Sequence, residues 1–339
     1  MSTRHPPLRG GAARTSASRP LWHDDAPLRV GISSCLLGEE VRFDGGHKRD
    51  RFLTDQLGPF VEWVPVCPEV ELGMGIPREA VQLARDGARL RMVGTKNGRD
   101  WTAAMERFAR ARVRALAKLE LCGYVLKKDS PSCGMERVTV RAPNGARRRE
   151  GRGLFAAALL ASDPARPGEE EERLNDPVLR ENWIERLFAH RRLRSLLAGR
   201  FSFGRLVAFH TAHELQLMAH SPEATRRLGR LVANAKRMER KGLRARYARE
   251  LMEALAVHAT RRRHVNVLQH CLGYLRGRLD APARRALGAQ VADYRAGLVP
   301  LVVPITLIRH TVERLGIEHL AGQVYLEPHP RELMLRNHV

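Results

Sequence analysis

The sequence predicts an α/β domain built on a mainly parallel sheet, followed by an all-α domain. In the first half, short strand-like runs alternate with helix-like segments, which is the pattern of a parallel sheet with crossover helices. In the second half, apolar residues recur at three- and four-residue spacing through several long segments, as in amphipathic helices. A chain of 339 residues, of which 43% are hydrophobic, is long and apolar enough for two folded domains.

The elements of the first half follow in chain order. Strands are predicted at LRVGIS, FVEWVPV, LRMVG and Tyr124 to Leu126, and helices at WTAAMERFARARVRALAKLELC and GRGLFAAALLAS. Cys35, Cys67 and Cys133 each lie just after one of these strands. Because ligands of a parallel sheet bind beyond the carboxyl ends of its strands, we expect one crevice to collect all three thiols.

Composition divides the chain into four segments. Residues 1–26 mix Arg, Ser, Pro and Gly without an apolar core and are predicted to form a disordered basic tail. Residues 27–163 are the predicted α/β domain, and residues 181–339 the predicted helical domain. Residues 164–180 are the predicted linker, because this part of the sequence combines Pro, Gly and an acidic run.

The charge balance predicts a polyanionic partner. The chain has 59 Lys and Arg against 37 Asp and Glu, a formal net charge of +22, which indicates nucleic acid or an anionic membrane surface. Nucleic acid is the favoured partner because few ordinary soluble enzymes tolerate the self-repulsion of such a charge excess, and a solvated arginine-rich surface is the alternative. No apolar run reaches the roughly 18 residues of a membrane span. The five cysteines are widely spread and odd in number, which argues against disulfides and favours a cytoplasmic protein.

The three loop cysteines have small, Pro or Gly neighbours in SSCLLG, VCPE and SPSCG, which suits a backbone wrapped around an inorganic group. A zinc site or a redox dithiol usually uses a CxxC pair, and a zinc deaminase also needs HxE; neither motif is found. A nucleophilic cysteine needs a base, for which His47 is the candidate. Three distant thiolates fit a 4Fe–4S cluster with one open iron, and three unrelated buried thiols remain the alternative. Cys122 and Cys271, in apolar contexts, are predicted core residues.

Three segments carry a resemblance to a known family. CLLGEEVRFDGGHKRD, VPVCPEVELGMGIPRE and KKDSPSCG resemble the signature segments of the TudS-type thiouracil desulfidase family. The resemblance implies a 4Fe–4S cluster held by Cys35, Cys67 and Cys133, with one iron open, and removal of sulfur from thiolated pyrimidines. FHTAHELQLMAHS, HVNVLQHCLGYL, YRAGLVPLVVPITLI and QVYLEPHPRELMLRN resemble the YbgA-type helical domain. The fused architecture resembles bacterial enzymes that act on 4-thiouridine in tRNA.

Two residues are predicted to be catalytic. Glu69, two residues from Cys67, is placed to accept a proton from the attacking water, with capping of a backbone amide as its alternative role. Ser130 matches a functional serine of the family by resemblance and is predicted to position water or the pyrimidine; the alternative is a turn serine. Asp129 is expected to hold the same loop.

Two basic segments are predicted to contact substrate or RNA. In RFDGGHKRD, Asp44 is expected to fix the loop by an Asx turn, and His47, Lys48 and Arg49 either contact a phosphate or form a solvated turn. In the helical half, Arg261, Arg262 and Arg263 are adjacent, within helices rich in arginine, and predict contact with an RNA backbone.

The sequence leaves three hypotheses for function. The first is an iron–sulfur enzyme that removes sulfur from 4-thiouridine in tRNA. The second is the same chemistry on free thiouracil or other small thiolated pyrimidines, with the helical half serving packing or dimerisation. The third is an RNA-binding factor in which the cluster is structural or absent.

Four histidines of the second half have no acidic or Cys partner at a spacing suitable for a metal site. They are predicted to lie in the core or to face RNA: His210, His213, His264 and His270.

Overall fold

The structure is a computed structural model that describes residues 28–198 and 200–339. The predicted tail, residues 1–26, lies outside the described residues. The strands are β1 (Leu28–Ser33), β2 (Val61–Val66), β3 (Val81–Asp86), β4 (Arg89–Gly94), β5 (Gly123–Leu126), β6 (Val138–Arg141), β7 (Arg147–Gly151) and β8 (Gly168–Glu170). The helices are α1 (Pro68–Glu71), α2 (Thr102–Ala117), α3 (Leu154–Ser162), α4 (Pro177–Ala198), α5 (Phe203–His220), α6 (Pro222–Ala233), α7 (Arg240–Ala256), α8 (Arg261–Leu275), α9 (Ala281–Ala296), α10 (Val302–Leu315) and α11 (Glu318–Ala321).

Sheet A is the central sheet of the first half. Its strand order is β2-β1-β5-β8, and all its pairs are parallel. Val30 and Ile32 of β1 and Val125 of β5 pack on one face, and Tyr124 and Leu126 of β5 pack on the other. A sheet buried on both faces needs nearly continuous apolar strands, which is what made β1 and β5 visible in the sequence. The predicted mainly parallel α/β fold is confirmed.

Helices cover both faces of sheet A. On one face, α2 and α3 contribute Met105, Ala109 and Phe155 to the core with β5. On the other face, α4 contributes Trp183 and Leu187. The first helix of the second half is therefore also a layer of the α/β sandwich, and this sharing of α4 fixes the two halves to each other.

Sheet B is a second sheet that the sequence did not predict beyond LRMVG. Its strand order is β4-β3-β6-β7, with antiparallel outer pairs and a parallel β3–β6 pair. Most of β7 is exposed, and its sequence, RRREG, has no apolar alternation. Such a strand is held by its pairing with β6, so its sequence carries little strand signal.

The acidic segment before α4 is structured. Within the predicted linker 164–180, residues of β8 pair with β5 at the edge of sheet A. Glu169 and Glu170 are buried: Glu169 accepts from Arg173 Nε at 2.7 Å, and Glu170 accepts from the Met135 amide at 2.7 Å. These carboxylates therefore stabilise the α/β domain instead of lying in solvent. The exact domain boundaries stay a prediction.

The second half is helical, as predicted. Helix α6 begins at a Ser-Pro pair: Ser221 is the N-cap and accepts from the Ala224 amide at 3.2 Å, and Pro222 is the first helical residue. The predicted core cysteines Cys122 and Cys271 are buried. Tyr247 and Tyr325 are also buried, whereas Tyr274 is half exposed. Across the described residues, no helix is both long and apolar enough to cross a membrane.

Candidate functional site

Three free thiols come together at the carboxyl ends of the sheet A strands. Cys35 lies in a 3-10 turn directly after β1, Cys67 lies between β2 and α1, and Cys133 lies in the loop after β5. All three line one cavity of about 560 Å³, whose lining also includes residues of sheet B. The structure therefore brings together the three cysteines singled out in the sequence, in the crevice expected from a parallel sheet.

The spacing of the sulfurs bears on which inorganic group they suit. Among the described residues, the one group of three His, Cys, Asp or Glu ligands whose atoms all lie within 4.8 Å of one another contains no cysteine. At least one pair of the three cavity sulfurs is therefore more than 4.8 Å apart. A single Zn²⁺ with Zn–S bonds of about 2.3 Å would hold its sulfur ligands roughly 4 Å apart. The all-sulfur donor set, drawn from three separate loops, suits an iron–sulfur cluster.

Burial makes ionisation of the three thiols unfavourable. The pKa of Cys35 is raised to about 11, that of Cys67 to about 12 and that of Cys133 well above its usual value, chiefly by desolvation. The Glu69 carboxylate contributes to the rise in all three pKa values, while Lys127 lowers that of Cys35. Sulfur binds metals as thiolate, so a cationic metal group is the kind of partner that would hold these sulfurs deprotonated.

The Cys133 loop is packed against backbone at a glycine. A Cβ on Gly153 would lie 2.4 Å from the carbonyl carbon of Ser132 and 2.8 Å from the amide nitrogen of Cys133. The Gly153 amide donates to the Gly134 carbonyl at 2.8 Å, which fixes the approach. Only glycine permits this contact without moving backbone atoms, so the start of α3 sets the position of the Cys133 thiol.

We expect Gly153→Ala to destabilise the protein and to weaken retention of any group bound at Cys133. Overpacking against backbone costs about 1–3 kcal/mol, so the urea midpoint should fall. Gly288→Ala in α9 is the matched control, because a Cβ there meets nothing within 4 Å. It should leave the midpoint unchanged or raise it. Equal midpoints for the two variants would contradict the close packing at Gly153.

Glu69 lies among the cysteines and is 9% exposed. Its Oε2 is 3.6 Å from Cys67 Sγ and 4.0 Å from an Arg78 guanidinium nitrogen, and its Oε1 accepts from Ser132 Oγ at 2.5 Å. These partners are side chains, so the alternative role of capping a backbone amide is not what the described residues show. A carboxylate fixed by a serine and an arginine at a thiol-lined cavity can accept a proton from a bound water.

The two serines of the SPSCG loop have different hydrogen-bond partners. Ser130 lines the cavity, and its Oγ accepts from the Ser132 and Cys133 amides at 3.3 and 3.1 Å, which is the turn role weighed as its alternative. Ser132 was not predicted as a site residue. Its Oγ lies 3.0 Å from Ser130 Oγ and donates to Glu69, so it links the two side chains. Its position next to Cys133 in the sequence could have indicated a role at the site. Asp129, also in this loop, pairs with Arg149 at 2.7 Å.

Of the residues in the RFDGGHKRD loop that were predicted to contact substrate or RNA, only some lie at the cavity. Asp44 Oδ1 accepts from the Gly46 amide at 3.1 Å, which is the predicted Asx turn. Lys48 lines the cavity. His47 is exposed and accepts from the Arg49 amide at 3.1 Å, and Arg49 pairs with Asp55 at 2.6 Å. His47 and Arg49 are not among the residues that line the cavity.

The cavity wall is rich in cations. Three acidic residues line it: Glu69, Glu79 and Asp129. Seven basic residues line it: Arg42, Lys48, Arg78, Lys127, Lys128, Arg141 and Arg147. The last two lie directly opposite each other on β6 and β7. Like charges at opposed positions of a sheet repel, so this pair favours an anionic ligand between or above the two guanidinium groups.

The predicted arginines of the helical half lie elsewhere. Arg261 lies over the Tyr294 ring, 5.3 Å from its centroid, and lines a second cavity of about 190 Å³. Arg263 donates to the His220 and His258 carbonyl oxygens at 2.8 and 3.2 Å. The side chains of Arg261 and Arg263 thus contact other residues of the helical half, and Arg262 is exposed. Their contact with RNA stays a prediction.

Two family models match the chain. Residues 30–171 match the 2-thiouracil desulfurase family, and residues 214–330 match a protein family of unknown function, DUF1722. The first match contains all three cavity cysteines, Glu69 and the serine loop. The second covers most of the helical half. The family of the first region is one of enzymes.

Three individual proteins are similar to parts of the chain. Uncharacterized protein YbgA of Escherichia coli (strain K12) is 33% identical over 158 residues, which are 46% of this chain and 94% of YbgA. Uncharacterized protein YbbK of Bacillus subtilis (strain 168) is 30% identical over 111 residues, 30% of this chain and 71% of YbbK. The solved structure of the [4Fe-4S]-dependent thiouracil desulfidase TudS is 30% identical, covers 44% of this chain and 94% of its own, and superposes with a TM-score of 0.36. The chain therefore carries a domain of the 2-thiouracil desulfurase family, followed by a DUF1722 domain, and belongs to the family of Escherichia coli YbgA.

Proposed function

We propose that this protein removes sulfur from thiolated uracil, with 4-thiouridine in tRNA as its substrate, and uses a 4Fe–4S cluster held by Cys35, Cys67 and Cys133. The observation that carries the proposal is that three thiols from three separate loops line one cavity together with Glu69. The match of residues 30–171 to the 2-thiouracil desulfurase family supports the reaction. When bound through three cysteines, such a cluster supplies an iron without a protein ligand, a Lewis acid suited to soft sulfur.

Glu69 is the proposed proton acceptor. Water adds its oxygen to the ring carbon that carries sulfur, and one of its protons passes to Glu69. The C–S bond breaks, and sulfur leaves with the second proton as hydrosulfide. The carbon receives oxygen in place of sulfur, so no electrons are needed. Ser132 holds Oε1 of Glu69, and Arg78 lies near Oε2, the oxygen that faces Cys67. The carboxylate is thus oriented before substrate arrives, which is the condition for general base catalysis.

The mouth of the cavity offers a surface for a pyrimidine ring. Phe43 lines the cavity and is 42% exposed, with the Arg42 guanidinium 5.4 Å from its ring centroid. Exposed aromatic rings next to a cation are the usual platform on which single nucleobases stack. A flat uracil held there would be directed at the thiols at the carboxyl end of the sheet.

The cationic wall favours a polynucleotide over a free base. A free thiouracil carries no phosphate, and seven basic side chains around a cavity are more than its recognition requires. Arg141 and Arg147 face each other on sheet B, and both line the cavity. Positive surfaces of this kind bind phosphates along a nucleic acid backbone.

We expect the double variant Arg141→Gln and Arg147→Gln to raise the KM for thiolated tRNA and to flatten its salt dependence. Each lost phosphate contact reduces the slope of log K against log salt by about 0.7–0.9. The double variant Arg107→Gln and Arg110→Gln removes the same charge from exposed positions on α2 and should keep the wild-type slope. Equal slopes for the two double variants would place RNA away from sheet B. Joint replacement of Arg261, Arg262 and Arg263 tests the helical half in the same assay.

The experiment that tests the proposal is anaerobic reconstitution with iron and sulfide, followed by nucleoside analysis of treated thiolated tRNA. Loss of 4-thiouridine with an equal gain of uridine is the expected result. Free thiouracil, tested in parallel, is the second candidate substrate: activity on it alone, without tRNA binding at moderate salt, overturns the tRNA assignment. A protein that binds tRNA but takes up no cluster with intact thiols would instead be an RNA-binding factor.

A further inference from the structure

A buried cluster of charged side chains lies in the second half and takes no part in the thiol cavity. Glu181 and Glu185 are one turn apart on α4, so their carboxylates project from the same side of the helix. His329 reaches them from the segment that follows α11. The ligand atoms of these three residues all lie within 4.8 Å of one another, and all three residues are buried. No role in the proposed desulfuration uses them.

His329 has a nitrogen without a partner. The residue is 7% exposed, its Nδ1 lies 3.1 Å from the Pro330 carbonyl oxygen, and its Nε2 has no hydrogen-bond partner among the described residues. A carbonyl only accepts, so Nδ1 carries the hydrogen. Burial and the Arg336 guanidinium lower the pKa of His329 to about 4, so the ring is neutral at neutral pH. Nε2 therefore presents a lone pair beside two carboxylates, which are also acceptors.

The positive charge around the two carboxylates is incomplete. Arg336 donates to one oxygen of each, at 3.1 Å to Glu181 and 2.8 Å to Glu185, and His220 Nε2 lies 2.9 Å from the other oxygen of Glu185. Arg336 therefore brings one positive charge to two carboxylates, and the cluster holds three acceptor groups that converge.

We propose that Glu181, Glu185 and His329 bind a divalent first-row transition metal ion in the second half of the chain. Two carboxylates and one neutral imidazole are a ligand set that Mn²⁺, Fe²⁺ and Zn²⁺ accept. The Nδ1–H donated to a backbone carbonyl is the arrangement that orients a metal-ligating histidine through its other nitrogen. Arg192 donates to the Pro328 carbonyl oxygen at 3.0 Å and holds the His329 segment against α4.

The site has a way in for an ion. The second cavity, of about 190 Å³, is lined by Glu181 and Glu185 together with His220, His264 and Tyr294. Arg261 also lines this cavity and His329 does not, so an ion would enter on the side of the two carboxylates. Water ligands on that side would complete the coordination of the metal.

The test uses the full chain with its reconstituted cluster and Mn²⁺ as the probe, because this hard ion competes poorly for the cysteine thiolates. Titration followed by the EPR signal of free Mn²⁺ should show one bound ion per chain, and bound ion should raise the melting temperature. The single variants His329→Gln and Glu181→Gln should each weaken binding by at least about tenfold. His338→Gln, which removes an exposed histidine from the wall of the same cavity, should bind as the wild type does.

Three outcomes overturn the site. Wild-type protein that leaves the free Mn²⁺ signal and its melting temperature unchanged, and takes up no Zn²⁺ beyond the amount bound by the thiols, has no metal site here. Equal binding by wild type, His329→Gln and Glu181→Gln would put the ion elsewhere. Weakened binding in His338→Gln as strong as in His329→Gln would mean the cavity wall, not the buried trio, holds the ion. None of these readouts depends on desulfuration, so the result is independent of the proposed reaction.

Discussion

Cys67→Ser is expected to leave anaerobically reconstituted protein with background iron and sulfide and without the visible absorption of an iron–sulfur cluster. Serine keeps the size of the side chain but replaces a soft sulfur ligand by a harder oxygen, which binds the irons of such clusters poorly. With Cys35 and Cys133 alone, two corners of the cluster remain held. Because the cluster is lost, turnover of thiolated tRNA should fall to the uncatalysed level.

Cys122→Ser is the matched control for this loss. Cys122 is also a buried free thiol, but it packs with Leu28 and Trp183 beside sheet A and does not line the thiol cavity. Its variant should retain iron, sulfide and activity. Full cluster retention by Cys67→Ser would remove Cys67 from the ligand set, and retention by the corresponding variants of Cys35 and Cys133 would end the cluster proposal.

The parts of the fold that the sequence predicted share one physical property. Strands β1 and β5 lie in the interior of sheet A, where burial on both faces demands apolar runs that are visible without a structure. Strand β2 lies at an edge of this sheet, and its run of Val and Trp still gave a strand signal. Strands β7 and β8 have the sequences RRREG and GEE. These are edge strands held by one neighbour, and their charged side chains find partners only in the folded chain. Sequence patterns therefore found only β4 of sheet B, and they gave no strand signal for β8, which lies within the predicted linker.

The same division applies to the site. Cys35, Cys67 and Cys133 could be grouped because the carboxyl ends of parallel strands meet at one edge, a rule that requires only strand positions. Arg141 and Arg147 reach the cavity through the pairing of β6 with β7, and neither strand was predicted. The group of Glu181, Glu185 and His329 was harder still to predict from the sequence. Glu185 and His329 are far apart in the chain, and only packing against α4 brings them together.

Glu69→Gln is expected to keep the cluster and to lose turnover. Glutamine preserves the shape of the side chain and an oxygen that can accept from Ser132, but it cannot take a proton from water at neutral pH. Loss of a general base lowers kcat by about 10²- to 10⁴-fold. Iron, sulfide and visible absorption should match the wild type, and the KM for tRNA should change little, because the proposed phosphate contacts are on sheet B and not at Glu69.

The control for that variant is Glu71→Gln, in the same short helix. Glu71 pairs with Arg112 at 2.8 Å, outside the lining of the thiol cavity, so its loss removes a carboxylate of α1 without touching the site. If Glu69→Gln loses the cluster while Glu71→Gln keeps it, Glu69 supports the thiol arrangement and the base lies elsewhere. If both variants turn over as the wild type does, no carboxylate of α1 takes the proton, and water must be activated without Glu69. If only Glu69→Gln loses kcat and its cluster stays intact, the variant has removed proton transfer to this carboxylate.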